Sequence, residues 1–423
     1  MASENGLKRL TDFFGLRRSI VGMLIMVVLV GLGEKMAERF LPIYLLALGG
    51  GILSVGFLNG MDNLLSALYS FPGGYLAERY GTKRSLLLFN LMAMFGFLLV
   101  ILIPWWPAVF IGAFFFLSWT AISLPATMKL VASVLPAHKR TMGVTMQSFT
   151  RRIPMALGPV IGGFFIAGWG EVTGVRLAFV AAFVVAAFAT VMQQVLIVDD
   201  RKGHPAGAKP AAYANPFVLF RRMNRPLRNL LVSDILIRFC EQIPDAFVVV
   251  WCMKTLAEIP GGTAVSAPMF GLLTTVEMAT AMAIYIPVAY LADRSRKKPF
   301  VAATFVFFTA FPLVLSYCHS FWPLVGAFVL RGFKEFGEPT RKALIMDLAP
   351  DDQKAGMFGL YYLIRDVIVS IAAFGGAFLW AKSPQLALHV AFGFGVMGTL
   401  WFLIFGRDLG PARGREETGA AAG

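Results

Sequence analysis

Hydrophobic and polar positions alternate along the chain as long apolar runs and short polar connections. About 20 apolar residues cross a bilayer as a helix. Twelve runs approach that length, at roughly 20–46, 52–77, 85–103, 108–134, 143–168, 176–197, 229–252, 268–292, 300–318, 322–348, 356–380 and 385–406. Pro and Gly punctuate the connections, as in Pro104-Trp105-Trp106-Pro107 and Gly49-Gly50-Gly51. The Trp pair also suits a membrane interface. The pattern predicts an all-α membrane protein of twelve transmembrane helices. Its longest connection separates an N-terminal bundle, 1–198, from a C-terminal bundle, 229–423, through a linker, 199–228. Within the linker, Gly203 to Ala208 reads as a flexible tether. Phe217, Leu219 and Phe220 lie among Arg221, Arg222, Arg225 and Arg228, as in a short helix on the inner leaflet.

Composition supports this reading: 57% of residues are hydrophobic, 15% are charged, and the mean hydropathy is +0.70. The net charge of +14 does not imply nucleic acid. Its basic residues cluster in connections on one side, including Arg17, Arg18, Arg79, Lys83, Arg84, Arg221, Arg222, Arg294, Lys297 and Lys298. The opposite side holds only Arg176, Lys254 and Lys382. The excess of Lys and Arg places that side, and both termini, in the cytoplasm. Cys240, Cys252 and Cys318 have neither metal-binding nor redox spacing and read as packing residues. The basic start runs into a segment too long for a cleavable signal.

The halves repeat. Pro125, Pro136, Arg151 and Gly162 match Pro339, Pro350, Arg365 and Gly376 at a spacing of 214 (339 − 125). At 215 (287 − 72), Pro72 to Arg79 lies over Pro287 to Arg294, which places Asp62 on Glu277. At 207 (241 − 34), Glu34-Lys35-Met36-Ala37-Glu38-Arg39-Phe40 falls on Glu241-Gln242-Ile243-Pro244-Asp245-Ala246-Phe247. Three matches in one order indicate parallel six-helix repeats, an arrangement found in transporters.

Charges inside the spans are segregated. The third, sixth, ninth and twelfth have none beyond His389 and terminal residues. The others carry Glu34, Lys35, Glu38 and Arg39 (first), Asp62 (second), Lys129 (fourth), and Arg151 and Arg152 (fifth). In the second half they carry Asp234, Arg238, Glu241 and Asp245 (seventh), Glu277 (eighth), Arg331, Lys334, Glu335 and Glu338 (tenth), and Arg365 and Asp366 (eleventh). Such groups are costly against lipid, so eight helices are expected around a polar cavity and four against lipid. At 1.5 Å per residue, Glu34 and Glu38 lie roughly 21 and 27 Å from the inner end of their helix, and Asp62 roughly 15 Å from its outer end. Arg331 with Glu335, and Lys334 with Glu338, are spaced to neutralise each other along one helix.

At Gly74-Tyr75-Leu76-Ala77-Glu78-Arg79-Tyr80-Gly81-Thr82-Lys83-Arg84, the sequence resembles the major facilitator superfamily, whose signature between helices 2 and 3 reads roughly G-x-L-A-D-R-x-G-R-K. Glu78 replaces the Asp and Thr82 the Arg; Asp293-Arg294 is the echo in the second half. Gly158-Pro159-Val160-Ile161-Gly162-Gly163 resembles the end of the helix 5 motif of the superfamily's antiporters, with Pro154 where its earlier glycine is expected. The resemblance implies two six-helix bundles that rock about a central site, with Gly74, Glu78, Arg79, Gly81, Lys83, Arg84, Asp293 and Arg294 at a cytoplasmic gate. Glu38-Arg39-Phe40 also resembles part of the E-x-x-E-R-F signature of proton-coupled peptide transporters, although the first Glu stands four residues upstream.

No P-loop, HExxH or dinucleotide fingerprint occurs. The expectation is therefore no enzyme, no cofactor and no metal, with a proton gradient as energy source. The leading function is proton-coupled export of amphipathic small molecules by alternating access. Proton coupling falls to Asp62 and Glu38, then Glu34 and Glu277. Substrate-cavity candidates are Arg39, Lys35, Glu241, Asp245, Arg238, Arg331, Lys334, Glu335, Glu338, Lys129, Arg151 and Arg365. The alternatives are an importer of an organic anion, peptide or metabolite, and a non-transporting receptor or scaffold. Expected partners are the lipid bilayer and a small-molecule substrate, not nucleic acid, with a monomer as the working unit. The expected location is the plasma membrane, the inner one in a Gram-negative cell.

Overall fold

A computed structural model describes residues 18–117, 119–134, 137–197, 216–293, 296–350 and 354–408. All regular structure among them is helical. In hydrocarbon a lone span must satisfy its own backbone hydrogen bonds, which a helix does and a lone strand does not.

The first span is Arg18–Glu38 continued by Leu41–Ala47. The second and third are Gly51–Tyr80 and Thr82–Leu102, joined by Gly81 at a φ of 82° that favours glycine. Trp106–Phe116 and Trp119–Val134 make the fourth. Ala137–Leu196 holds the fifth and sixth, separated at Gly170, whose φ is 79°. After the short helix Pro216–Arg222, the seventh span is Arg225–Asp245 and Val248–Val250, followed by the π turn Trp251–Thr255 and Leu256–Glu258. The eighth and ninth are Ala267–Asp293 and Lys297–Ser316. The tenth is Phe321–Gly332, the 3₁₀ turn Phe333–Glu335 and Glu338–Leu348. Lys354–Lys382 and Pro384–Phe405 complete the twelve.

Among the described residues, eight segments, one of them Phe149–Leu196 with parts of two spans, are long and apolar enough to cross a membrane by length and composition. The spans that fall short are the second, with Asn59, Asp62 and Asn63, and the charge-bearing seventh and tenth. The third and sixth spans carry outward stripes at helical spacing: Leu88, Leu91, Phe95, Leu98 and Leu102, and Val180, Val184, Phe188, Val191 and Val195. Stripes of that size and apolarity match hydrocarbon, not water.

The chain divides into two compact units, Met1–Ala208 with Ser266–Thr275, and Lys209–Val265 with Val276–Gly423. The sequence repeat recurs in local structure. The first span is interrupted at Arg39 and Phe40, the seventh at Ala246 and Phe247. Phe40 N–H donates to the Ala37 carbonyl at 3.0 Å, and Phe247 N–H to that of Pro244 at 2.8 Å. Each of these pairs is related by the same spacing of 207 (247 − 40; 244 − 37).

Candidate functional site

In the second unit, buried charges form one chain of alternating sign across the seventh, eighth, tenth and eleventh spans. Asp366 pairs with Arg365 at 2.7 Å, and Arg365 reaches Asp234 at 3.5 Å. Asp234 also takes Arg341 and the Tyr361 hydroxyl, the latter at 3.0 Å. Arg341 donates to both oxygens of Glu338, at 2.8 and 2.6 Å. Arg238 links Glu338, at 3.4 Å, to Glu241, at 2.5 Å. Lys334 bridges Glu241 at 3.1 Å and Glu277 at 3.3 Å. Arg331 joins Glu277, at 3.4 Å, to Asp245.

Asp234, Glu277 and Arg341 are about 1% exposed or less. Bare charges at such depth are costly, and alternation gives each one an opposite neighbour. Arg331 also lies over the Phe311 ring at 5.1 Å, and Arg365 over Tyr362 at 4.2 Å. A pocket opens among Glu241, Asp245, Arg331, Lys334 and the rings of Phe307, Phe308 and Phe311.

The neutralisation expected along the tenth span is not the one adopted. Arg331 pairs with Glu277 and Asp245 instead of Glu335, and Lys334 with Glu241 and Glu277 instead of Glu338. The cause is the break at Phe333–Gly337, which destroys the helical spacing on which the expectation stood. The Gly337 N–H freed by the break donates to Thr304 Oγ1 of the ninth span at 2.6 Å. Glu335 is half-buried beside the break. Asp234, Arg341 and Tyr361 were not among the sequence candidates. Their signal was the spacing of Asp234 to Arg238 (four) and of Glu338 to Arg341 (three).

Among the described residues the first unit holds a smaller set of ion pairs. Lys35 donates to Glu38 and lies 3.6 Å from Glu34. Glu34 is 3% exposed, and its Oε2 has no hydrogen-bond partner among the described residues. Arg39 and Asp62 are partly buried in the first and second spans. Glu34, Lys35 and Arg151 line a pocket walled by Val27, Trp119, Pro154 and Met155.

The helix 5 glycines bring the fifth span against the first. A Cβ on Gly158 would lie 2.8 Å from the Lys35 carbonyl carbon, and one on Gly162 would overlap the Met36 oxygen outright. A Cβ on Gly163 would meet the Ala267 carbonyl at 2.6 Å, and the Pro159 carbonyl oxygen would lie 2.6 Å from a Cβ on Gly271.

Of the gate motif, Gly74 lies within the second-span helix and Gly81 closes it. Arg79 is exposed, with its guanidinium 5.5 Å from the Tyr80 ring centre. The Lys83 carbonyl accepts from Gln193 Nε2 at 2.7 Å, and Arg84 is exposed. The side chains of Glu78, Lys129 and Asp293, and all of Arg294, lie outside the described residues. Nearby, Lys297 pairs with Asp347 at 2.5 Å. Among the described residues, no three His, Cys, Asp or Glu side chains gather as a metal would require.

The sequence model described as "Major Facilitator Superfamily" matches residues 23–256 and 230–422. Two Bacillus subtilis (strain 168) proteins described as uncharacterized MFS-type transporters are similar. YfkF is 28% identical over 138 residues, 32% of this chain and 35% of that protein. YqjV is 24% identical over 274 residues, 62% of each. The matches thus span between about a third and three fifths of these relatives. Among solved structures, a mutant form of the nucleoside transporter NupG has a TM-score of 0.76 at 11% identity, covering 92% of this chain and 100% of that one. The peptide transporter POT in complex with sulfate has a TM-score of 0.74 at 14% identity, covering 92% and 94%. A D-xylose-proton symporter has 0.69 at 12%, covering 92% and 98%.

Proposed function

The chain belongs to the Major Facilitator Superfamily, and on that premise we propose that it is a secondary transporter, proton-coupled, that exports amphipathic small molecules. One observation carries this reading: acids and bases are concentrated inside membrane spans, with Glu34, Lys35 and Glu38 in one unit and the chain from Asp366 to Asp245 in the other. A structural scaffold has no need of so many costly charges at that depth. A carboxylate in low dielectric can load and release a proton as access alternates between the two sides. Asp62 and Glu38 are assigned that role first, with Glu34 and Glu277 as the second-ranked candidates. Lys35 and Arg39 bias the charge on Glu38. The apolar walls of the two cavities suit an amphipathic cargo.

On this reading the protein works as a monomer in the plasma membrane, with both termini cytoplasmic. The energy source is the proton gradient, without a cofactor. Import is the second reading, favoured by the fold likeness to a D-xylose-proton symporter. Reconstituted protein under an imposed pH gradient should move members of a panel of amphipathic amines, acids and zwitterions. The sign of flux relative to the gradient decides direction. If Asp62→Asn and Glu38→Gln both left proton-driven flux unchanged, the coupling assignment would fail.

A further inference from the structure

The two repeats treat equivalent charges differently. Glu34 and Glu241 are equivalent at a spacing of 207 (241 − 34), and Arg151 and Arg365 at 214 (365 − 151). In the second unit both are fully engaged. Glu241 takes Arg238 on one oxygen and Lys334 on the other. Arg365 takes Asp234 and Asp366.

In the first unit neither is. Glu34 reaches only Lys35, at 3.6 Å through Oε1, and Lys35 is itself held by Glu38. Its Oε2 is buried without a hydrogen-bond partner among the described residues. Arg151 forms no ion pair within 4 Å and no hydrogen bond among those residues, although it shares the cavity wall with Glu34. The residues that would neutralise Arg151 by analogy are gone, because Val27 stands at the position of Asp234 and Arg152 at that of Asp366.

A buried carboxylate oxygen and a partly buried guanidinium thus line one pocket, and among the described residues each lacks the partner its counterpart has. Leaving buried polar groups unmatched is costly, so a ligand that supplies both partners is favoured over one that supplies one. A lone amine would leave Arg151 unmatched, and a lone acid would leave Glu34. Asp62 from the second span adds negative charge near Glu34, which favours an ammonium at that end. Trp119, Met155 and Val27 set apolar side chains beside the two charged groups, where an apolar part of the ligand would pack.

We propose that this cavity binds a small zwitterion carrying an apolar group, such as an α-amino acid, with its ammonium on Glu34 and its carboxylate on Arg151. The proposal rests on the transporter reading for its role in the cell, but it is tested by binding, without flux. The probes share one skeleton: phenylalanine, phenethylamine, which lacks the carboxylate, and 3-phenylpropionate, which lacks the ammonium. Equilibrium binding to the full chain in lipid nanodiscs should favour phenylalanine by at least about tenfold over either analogue.

Glu34→Gln should weaken phenylalanine and phenethylamine but leave 3-phenylpropionate unchanged. Arg151→Gln should weaken phenylalanine and 3-phenylpropionate but leave phenethylamine unchanged. The three-probe comparison on the unmodified chain holds even if a variant fails to fold. Equal affinity for the three probes, or no saturable binding of phenylalanine, leucine and alanine, overturns the proposal. Selective binding without proton-driven flux leaves the pocket standing and sinks the transporter reading instead. Proton-driven flux without the charge selectivity does the reverse.

Discussion

Gly162 lies so close to Met36 that a Cβ on the glycine would overlap the methionine carbonyl oxygen. Its repeat counterpart, Gly376, meets the Ile243 carbonyl oxygen in the same way. Small residues let membrane helices approach until backbones touch, and here they join the fifth span to the first and the eleventh to the seventh. Gly162→Ala would force the helices apart just below the Glu34 and Glu38 face. The expected cost is about 1–3 kcal/mol, seen as a lower melting temperature of the purified protein. Gly359→Ala, with nothing within 4 Å of the new methyl, is the matched control. Equal melting temperatures for the two variants would contradict the close approach.

Asp234 is the carboxylate on which the second unit's charge chain converges. Arg341, Arg365 and the Tyr361 hydroxyl all bond to it, and Arg238 lies 3.9 Å away. Asp234→Asn keeps the shape but removes the buried negative charge that Arg341 and Arg365 share, leaving Arg341 only Glu338 and Arg365 only the more exposed Asp366. The expected loss is about 3–5 kcal/mol, measured by denaturation in lipid or mild detergent. Lys334→Met should cost less, because Glu241 keeps Arg238 and Glu277 keeps Arg331. If Lys334→Met were the worse of the two, Asp234 would not be the hub.

The sequence made the repeat readable because backbone requirements are local. The spacing of 207 that aligned Glu34 with Glu241 also aligns the two helix breaks and the Met36 and Ile243 carbonyls. Which helices carry charge was readable for the same reason, since hydropathy is a property of a single segment. Partner choice was not. Arg331 and Lys334 pair across helices, and the break that redirects them depends on Thr304, a residue in another span. Asp234 stood in the charge inventory, but its role as a hub depends on three spans meeting. The repeat spacing sets Val27 against Asp234 and Arg152 against Asp366, but that these two acids are what saturates Arg365 is visible only in the structure.

Orientation yields a labelling prediction. All three cysteines are buried. In the connection after the ninth span, burial pushes the Cys318 thiol up to about 11. The thiolate is the species that attacks a maleimide, so the unmodified protein should label slowly at neutral pH. On that background, Trp322→Cys, at a site 77% exposed, should react with a membrane-impermeant maleimide added to intact cells. Phe220→Cys, in the Arg-flanked short helix, should react only after permeabilisation. The reverse order would invert the proposed topology.

Thr304 tests the break in the tenth span. Its hydroxyl accepts from Gly337 N–H at 2.6 Å and donates to the Phe300 carbonyl at 3.0 Å, so one side chain satisfies the backbone opened beside Lys334. A Cβ on Gly337 would meet the Phe300 oxygen at 2.5 Å, so the unwound turn fits tightly there. Thr304→Val keeps the volume and removes the acceptor, which strands a buried N–H at a cost of about 1–3 kcal/mol. Thr304→Ser keeps the hydroxyl and should stay near the unmodified protein, apart from its lost methyl. The comparison of melting temperatures decides the matter. If valine were tolerated as well as serine, the break would be held by some other contact, and the redirection of Lys334 toward Glu241 and Glu277 would need another cause.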